Sequence, residues 1–431
     1  MSGISLCMIA RDEAMLLQQC FDSVKDVVCE IIFVDTGSLD ETKSIAAQAG
    51  AKIFDLKWVD DFSMARNFAL DQATGDWVLF LDADETISRR DHGRLLSLVN
   101  AHGVDAYTLV QRTYGDDLRH AAYVNRGADP YEDSLPYAGW VPSMLVRLFR
   151  NDPAFRFRYR IHELVEPSIL ERGGVILDSE IPIHHFTYKK NPEFVNEKLK
   201  RYLDLGLRQI EDTPEDPKPY LEAALVCLNI SDFVTAEQLL QKAIALSPDD
   251  ANLYDSLGAL YLHTNRAADA ERVLRKSLSL RADDAAILNK LAGACMARGA
   301  YGEADQLLDR ALVLAPGRTN IHNNRGLLFA VTNRPYEAIE SFQYSLRLNP
   351  RQQYALASLG MLYVNLGRYA DANPILERAL EIKPDDPRTL YHLAVVYARF
   401  GQRLRAVELL KRAQLIQPGD PAIAERLREF A

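Results

Sequence analysis

The sequence is poor in several things that would have set its class at once. Its 431 residues contain five cysteines, at 7, 20, 29, 227 and 295, with no CxxC pair. An odd, scattered set argues against a disulfide framework and a structural zinc site, and free thiols in a reducing compartment are expected. Basic charge is also short. Lys and Arg number 50 against 60 Asp and Glu, a net charge of −10. A general nucleic-acid binder, which needs a positive face, is excluded, although a local basic pocket is not. No apolar run reaches the length of a membrane span. The opening MSGISLCMIARDEA has neither a basic n-region nor a long apolar core, so no signal peptide and a cytoplasmic location are expected. No GxGxxG follows either early apolar run, which removes a dinucleotide-binding turn. The length calls for two or three domains.

What is present divides into two grammars. From about residue 214, Pro214, Pro248, Pro316, Pro350, Pro384 and Pro418 fall on a 34-residue grid, with Ala282 in the one empty place. Ala236, Ala270, Ala304, Ala338, Ala372 and Ala406 form a second column, and Leu240, Leu274, Leu308, Phe342, Leu376 and Leu410 a third. Gly258, Gly326 and Gly360 alternate with Ala224, Ala292 and Ala394 in a fourth, and Tyr261, Phe329, Tyr363 and Tyr397 stand in a fifth. Small residues let paired helices approach, large ones fill the space between, and proline ends the second helix. The pattern resembles the tetratricopeptide repeat. Six repeats are expected, 217–250, 251–284, 285–318, 319–352, 353–386 and 387–420, followed by a polar capping helix. Asn289 and Asn323 share a repeat position, as in an incomplete peptide-binding ladder.

The first half alternates short apolar runs with helical stretches: strands at Ile4–Ala10, Glu30–Val34, Lys52–Leu56 and Trp77–Leu81, helices near 12–25, 39–49 and 63–73. Ser38 and Glu41 have capping-box spacing, and Gly50 and Gly75 stand where helices should stop. Such alternation implies an open, largely parallel sheet with ligands beyond the strands' carboxyl ends, a rim that holds Arg11, Asp35 and the acids from Asp82 to Glu85. Residues 191–213, opening on Asn191 and Pro192, read as a helical bridge between 1–190 and 214–431.

The fourth run, DWVLFLDADE, ends in three carboxylates. A hard divalent cation would cancel their charge, and in an extended strand Asp82 and Asp84 share a face. The plainer alternative makes them turn or cap residues.

Taken together, SLCMIARDEAMLLQQCFDSV, EIIFVDTGSLDETKSIA, DFSMARNFALDQATGDWVLFLDADE, RIHE and IHHF resemble a family 2 glycosyltransferase of the GT-A fold, over residues 4 to about 188. The resemblance implies an α/β nucleotide-sugar-binding domain ahead of the all-α repeats. It implies Asp35 at the nucleotide base, Arg66 and Asn67 near the nucleotide, Asp82 near the ribose, Asp84 on the metal, and His184 or His185 completing the metal–diphosphate site. It also implies inversion at the sugar with one carboxylate base, for which Glu163 of RIHE is the choice and Glu132 or Asp133 the reserve. The implied cofactor is Mn²⁺ or Mg²⁺ and the donor a nucleotide-diphosphate sugar, a UDP-sugar by preference. The subgroup most resembled includes peptide and protein glycosyltransferases with helical repeats, some of which modify bacteriocin cysteines. A protein or peptide acceptor, held partly by the repeats, is therefore expected. Transfer to a lipid-linked or envelope saccharide, or a non-catalytic scaffold, are the alternatives.

Plainer roles stand beside several of these residues. Asp60 and Asp61 read as caps for the third helix. Arg147, Arg150, Arg156, Arg158 and Arg160 could grip a diphosphate or an acidic acceptor but read mostly as solvated strand-face charges, Glu163 reads as an ion-pair partner of a neighbour such as Arg160, and Trp58 and Trp140 as core or sugar-stacking groups.

Overall fold

The computed structural model describes residues 3–115, 124–137, 139–186 and 192–430. The chain forms two compact units, Met1–Asp232 and Phe233–Ala431.

In the first unit, β1 (Ile4–Ala10), β2 (Glu30–Asp35), β3 (Lys52–Asp55) and β4 (Trp77–Phe80) pair in parallel in the order β3-β2-β1-β4. Their near-continuous apolar sequence follows from burial on both faces. Leu6, Met8, Phe33 and Leu79 pack one way, against Leu17 and Phe21 of α1 (Ala14–Val24) and Leu95 of α4 (His92–Val99). Cys7, Ile32, Val34 and Phe80 pack the other way, against Ala69 of α3 (Phe62–Gln72) and Ile169 of α5 (Glu166–Glu171). Edge strand β3 carries the exposed Lys52, a charge that discourages edge pairing.

Beyond β4 the sheet stops being parallel. It continues through β8 (Gly139–Arg150), β6 (Ala106–Tyr114), β9 (Ile176–Phe186) and β5 (Glu85–Thr86), with β7 (Val124–Asn125) beside β8. The β4–β8, β8–β6 and β9–β5 pairs are antiparallel and β6–β9 is parallel. No α-helix lies between β6 and β8 among the described residues, and without a crossover a returning strand runs antiparallel.

Two local expectations change. Helix α2 (Thr42–Gln48) begins too late for a capping box: Glu41 is its cap without a side-chain bond, and Ser38 Oγ accepts from Asp12 N instead. Gly50 does follow α2 with φ 78°, but Gly75 has a different reason to be glycine. A Cβ there would lie 2.8 Å from the Gly3 carbonyl oxygen.

Helix α6 (Pro192–Asp212) covers the expected bridge; Asn191 lies outside the described residues. Helix α7 (Pro217–Asn229) opens the first repeat in sequence, yet it packs with α6 in the first unit. The expected boundaries near 190 and 213 thus fall inside that unit.

The second unit continues the grid from α8 (Phe233–Leu246) to α19 (Pro421–Phe430). Helices start at Ala251, Ala285, Thr319, Gln353 and Pro387, the first residues of the expected repeats. The alanine column is fully buried, and each glycine of the fourth column abuts the large residue 16 positions on: a Cβ at Gly258, Gly326 or Gly360 would lie within 2.8 Å of Leu274, Phe342 or Leu376. A further periodic column escaped the sequence reading. Asp216, Asp250, Asp284 and Asp386 each cap the first helix of the repeat that follows, accepting backbone N–H bonds two or three residues on. The asparagine ladder does not form an open surface. Asn289 and Asn323 are buried, and they bond inward to Asn324 and Gln352.

Candidate active site

At the carboxyl ends of the parallel strands lies a cleft of about 830 Å³, lined among others by Arg11, Thr36, Trp58, Arg66, Asp82, Asp84, Arg147, His162, Glu163 and His185. Strand β4 ends at Phe80, so Asp82 and Asp84 occupy a turn closed by Glu85 N to Asp82 O at 3.0 Å. The alternation of a strand therefore does not apply to them, and they face different partners. Asp82 Oδ1 accepts from Arg66 Nη2 at 2.9 Å and Oδ2 from Arg147 Nη2 at 3.0 Å. Arg147 Nη2 also reaches Glu85 Oε1 at 3.0 Å, and Glu85 Oε2 accepts the Asp82 N–H at 2.8 Å. Two of the three clustered carboxylates are thus answered by arginine.

Arg147 is buried, which corrects its reading as a solvated strand charge. A charge enters an apolar strand only when paired, and here two carboxylates pair with it. Arg150 instead caps the Ala101 and Val104 carbonyls, and Arg156, Arg158 and Arg160 pair with Asp71, Glu171 and Asp212. Burial alone would raise the Asp82 pKa; the Arg66 and Arg147 guanidiniums outweigh it and hold the group well below the usual carboxylate range. Burial pushes Glu85 upward, with Arg147 opposing.

The third carboxylate meets a histidine. Asp84 Oδ2 lies 3.3 Å from His185 Nε2, whose ring is held at Nδ1 by Thr113 Oγ1 at 3.0 Å. Burial pulls the His185 pKa down, but the Asp84 hydrogen bond and the charges of Asp84, Glu85 and Asp82 carry it upward on balance. His184 points the other way. It is fully buried, stacks on Tyr114 and takes a 2.5 Å hydrogen bond with Tyr114 OH. Successive strand residues face opposite sides, and the structure puts His185, not His184, in the cleft beside Asp84. The pair offers one carboxylate oxygen and one imidazole nitrogen. Such a donor set fits Mn²⁺ or Mg²⁺ when diphosphate oxygens and water fill the remaining positions. Among the described residues, the one three-member cluster of possible metal ligands is elsewhere, at Glu271, Cys295 and Glu303, and its carboxylates already pair with Arg275 and Arg298.

Arg66 joins Asp82 to Glu163. It is buried, lies over the rings of Phe80 and Phe157 at 4.4 and 5.4 Å, and donates from Nε to Glu163 Oε1 at 2.5 Å. Glu163 therefore pairs with an arginine, though not with Arg160. Asn67, next in sequence, is not in the cleft lining; both ends of its amide bond the Phe157 backbone. Asp35 is buried at the end of β2; its Oδ2 accepts from Gly37 N and Ser38 N, both at 3.0 Å, and its Oδ1 has no partner. Arg11 reaches into the cleft from the end of β1 and pairs with Asp12. Asp61 caps α3 through Met64 N, whereas Asp60 accepts from Trp58 Nε1 and Arg201. Trp58 lines the cleft and Trp140 is buried over Arg112. Glu132 and Asp133 are not in the lining, and Asp133 faces His184 at 3.7 Å.

Residues 5–154 match the family described as Glycosyl transferase family 2, and residues 256–319 and 365–428 match tetratricopeptide-repeat families. The chain carries a family 2 glycosyltransferase domain followed by tetratricopeptide repeats. A TPR repeat-containing protein of Synechococcus elongatus is 39% identical over 225 residues, half of each chain. The SPbeta prophage-derived glycosyltransferase SunS of Bacillus subtilis is 26% identical over 220 residues, 50% of this chain and 47% of that one. An uncharacterized glycosyltransferase of Rickettsia felis is 34% identical over 111 residues, 26% of this chain and 39% of its own. The chain spans about half the length of the first two relatives. Among solved structures, the anaphase-promoting-complex hetero-tetramer Cut9–Hcn1 aligns over 62% of this chain and 51% of that one, with a TM-score of 0.50 at 17% identity, a likeness of fold alone. No helix among the described residues is long and apolar enough to cross a membrane.

Proposed function

We propose that the protein is an inverting glycosyltransferase that moves a sugar from a nucleotide-diphosphate donor, a UDP-sugar, to a protein or peptide. The observation that carries this reading is the convergence of Asp84, His185, Asp82 and Glu163 on one cleft of the unit whose residues 5–154 match family 2. Asp35 lies outside the cleft lining at the end of β2, and its one unpartnered buried oxygen would accept a hydrogen bond from the nucleotide base. Asp82, fixed through both oxygens by arginines, offers an oriented acceptor to the ribose. Asp84 and His185 would hold the Mn²⁺ or Mg²⁺ ion, which supplies positive charge to the departing diphosphate. Glu163 takes the proton of the acceptor group as the new bond forms. Arg66 Nε, bonded to Glu163 Oε1, fixes where that carboxylate stands. Helical repeats present extended binding surfaces, which supports a polypeptide acceptor.

Hydrolysis of a UDP-sugar panel with Mn²⁺ and with EDTA tests the donor and metal, and neither turnover nor metal response would leave the scaffold reading. Mass spectrometry of polypeptides co-expressed with the active protein and with Glu163→Gln tests the acceptor. Label found only on lipid-linked saccharide would replace the protein acceptor.

A further inference from the structure

Glu163 sits near the tip of a loop that the catalytic domain does not hold by itself. Its neck is closed by the paired bonds of Arg158 and Leu164, at 2.9 and 3.1 Å. The flank is fixed by Phe62 N to Arg160 O at 2.9 Å, Arg160 N to Gln209 Oε1 at 2.7 Å, and Ser63 Oγ to the Tyr159 carbonyl. Two residues, Tyr159 and His162, take left-handed backbone angles, φ 75° and 51°. Side chains other than glycine resist that conformation unless their surroundings enforce it. At the tip, among the described residues, one hydrogen bond reaches the backbone of 161–163. It runs from Lys218 Nζ to the His162 carbonyl at 3.0 Å. The same ammonium lies 4.0 Å from the centre of the Tyr159 ring and pairs with Glu222 Oε1 at 2.6 Å. One lysine therefore touches both left-handed residues. It stands on α7, the helix that opens the repeat grid, and α7 belongs to the same compact unit as the cleft. Tyr202 of α6 adds an edge contact to the His162 ring, 6.0 Å between centres.

We propose that Lys218 is a positioning residue for Glu163: the first repeat helix holds the catalytic loop in the left-handed turn that presents the carboxylate to the cleft. This rests on Glu163 as the base. Lys218 touches no reacting atom. It acts through the His162 carbonyl and the Tyr159 ring, and Glu222 fixes the direction of its ammonium. The array is thus more than an appended binding module, since its opening helix completes the catalytic domain.

The test uses the full chain in four forms: wild type, Lys218→Met, Lys218→Arg, and Lys218→Met combined with Glu163→Gln. Hydrogen exchange, which needs no substrate, is read on peptides covering 158–164. Lys218→Met should speed exchange there while α3 and α7 stay protected, and Lys218→Arg should restore it. Hydrolysis of UDP-glucose should lose about tenfold in kcat with KM within about twofold, as expected when placement of a catalytic group is lost and donor binding is not. In the Glu163→Gln background the same substitution should cost less than about twofold, because coupled residues are not additive. Unchanged exchange at 158–164 in Lys218→Met overturns the proposal. So does an equal kcat loss in both backgrounds. A Glu163→Gln protein with wild-type turnover would reject the base instead, and the exchange result would still judge the lysine.

Discussion

At the residue scale, the site separates carboxylates by partner. Asp82 and Glu85 share Arg147, Glu163 has Arg66, and Asp84 has a histidine. Asp84 is the one left to a partner that can give up its charge, which is what a metal ligand requires. Asp84→Ala should fold, because the side chain lies at the cleft surface, and should lose Mn²⁺-dependent binding of UDP in calorimetry. Equal binding with and without the carboxylate would remove it from the metal site. Glu163→Gln should keep UDP affinity and lose roughly a hundredfold or more in transfer, the usual worth of a general base. A thiol acceptor, partly ionised near neutral pH, would shrink that loss. Acidity should also act on stability. The folded Asp82 pKa is held below its unfolded value of about 3.9, so its ionised form stabilises the fold. That contribution is whole above the unfolded pKa and fades as pH falls through the folded one. The stability gap between wild type and Asp82→Asn, measured by urea unfolding, should narrow as pH falls below about 4. A gap that widens under acid would show that Asp82 is not held by its arginines. Asp82 and Asp84 stood out in the sequence because acids at the end of an apolar run need explaining, and Glu163 because it stands in RIHE. Arg147 was not, although a lone arginine amid the apolar MLVRLF was a signal of burial that patterning by charge alone overlooks.

At the scale of elements, legibility followed periodicity. The first four strands and the repeat helices fall where the short apolar runs and the 34-residue grid put them, because burial on both sheet faces and between paired helices leaves few other residue choices. The second half of the sheet was not readable, since β6, β8 and β9 pair at long range and carry mixed, half-buried sequences. The turn at Asp82 stood only as the plainer alternative for a related reason: Leu81 continues the apolar run after the strand's pairing with β8 has ended at Leu79. The repeats allow a quantitative check. A Cβ on Gly326 would meet the Phe342 ring at 2.8 Å, whereas the neighbouring repeat has Ala292 with Leu308, both buried. Overpacking of this kind costs about 1–3 kcal/mol, offset in part by the better helix propensity of alanine, about 1 kcal/mol. Gly326→Ala should therefore lower the urea midpoint of the repeats, and adding Phe342→Leu should recover much of it by recreating the neighbour's pair. If the double variant is no better than the single, the clash is not the cause.

At the scale of the whole molecule, repeat grammar and compact structure disagree about where the catalytic part ends. The grid begins near residue 214, but the compact unit that contains the cleft runs to Asp232 and includes α7. Repeat arrays are held by neighbour contacts, so an array can be shortened without unfolding what lies before it. Two truncations separate the boundaries. A chain ending at 232 keeps α6 and α7 with Lys218 and Glu222, both of which line the cleft. It should fold cooperatively and retain donor hydrolysis with KM near that of the full chain. A chain ending at 213 loses α7 and exposes the apolar face that α6 turns toward it, so it should be less stable and hydrolyse donor poorly. Both should fail to glycosylate the acceptor found by co-expression, because the remaining repeats are gone from each. Circular dichroism melts, UDP-glucose hydrolysis and intact-mass analysis of the acceptor give the three readouts. Full hydrolysis by the chain ending at 213 would place the boundary where the repeats begin and leave α7 without a part in the chemistry. Normal acceptor modification by the chain ending at 232 would show instead that the later repeats serve something other than the acceptor.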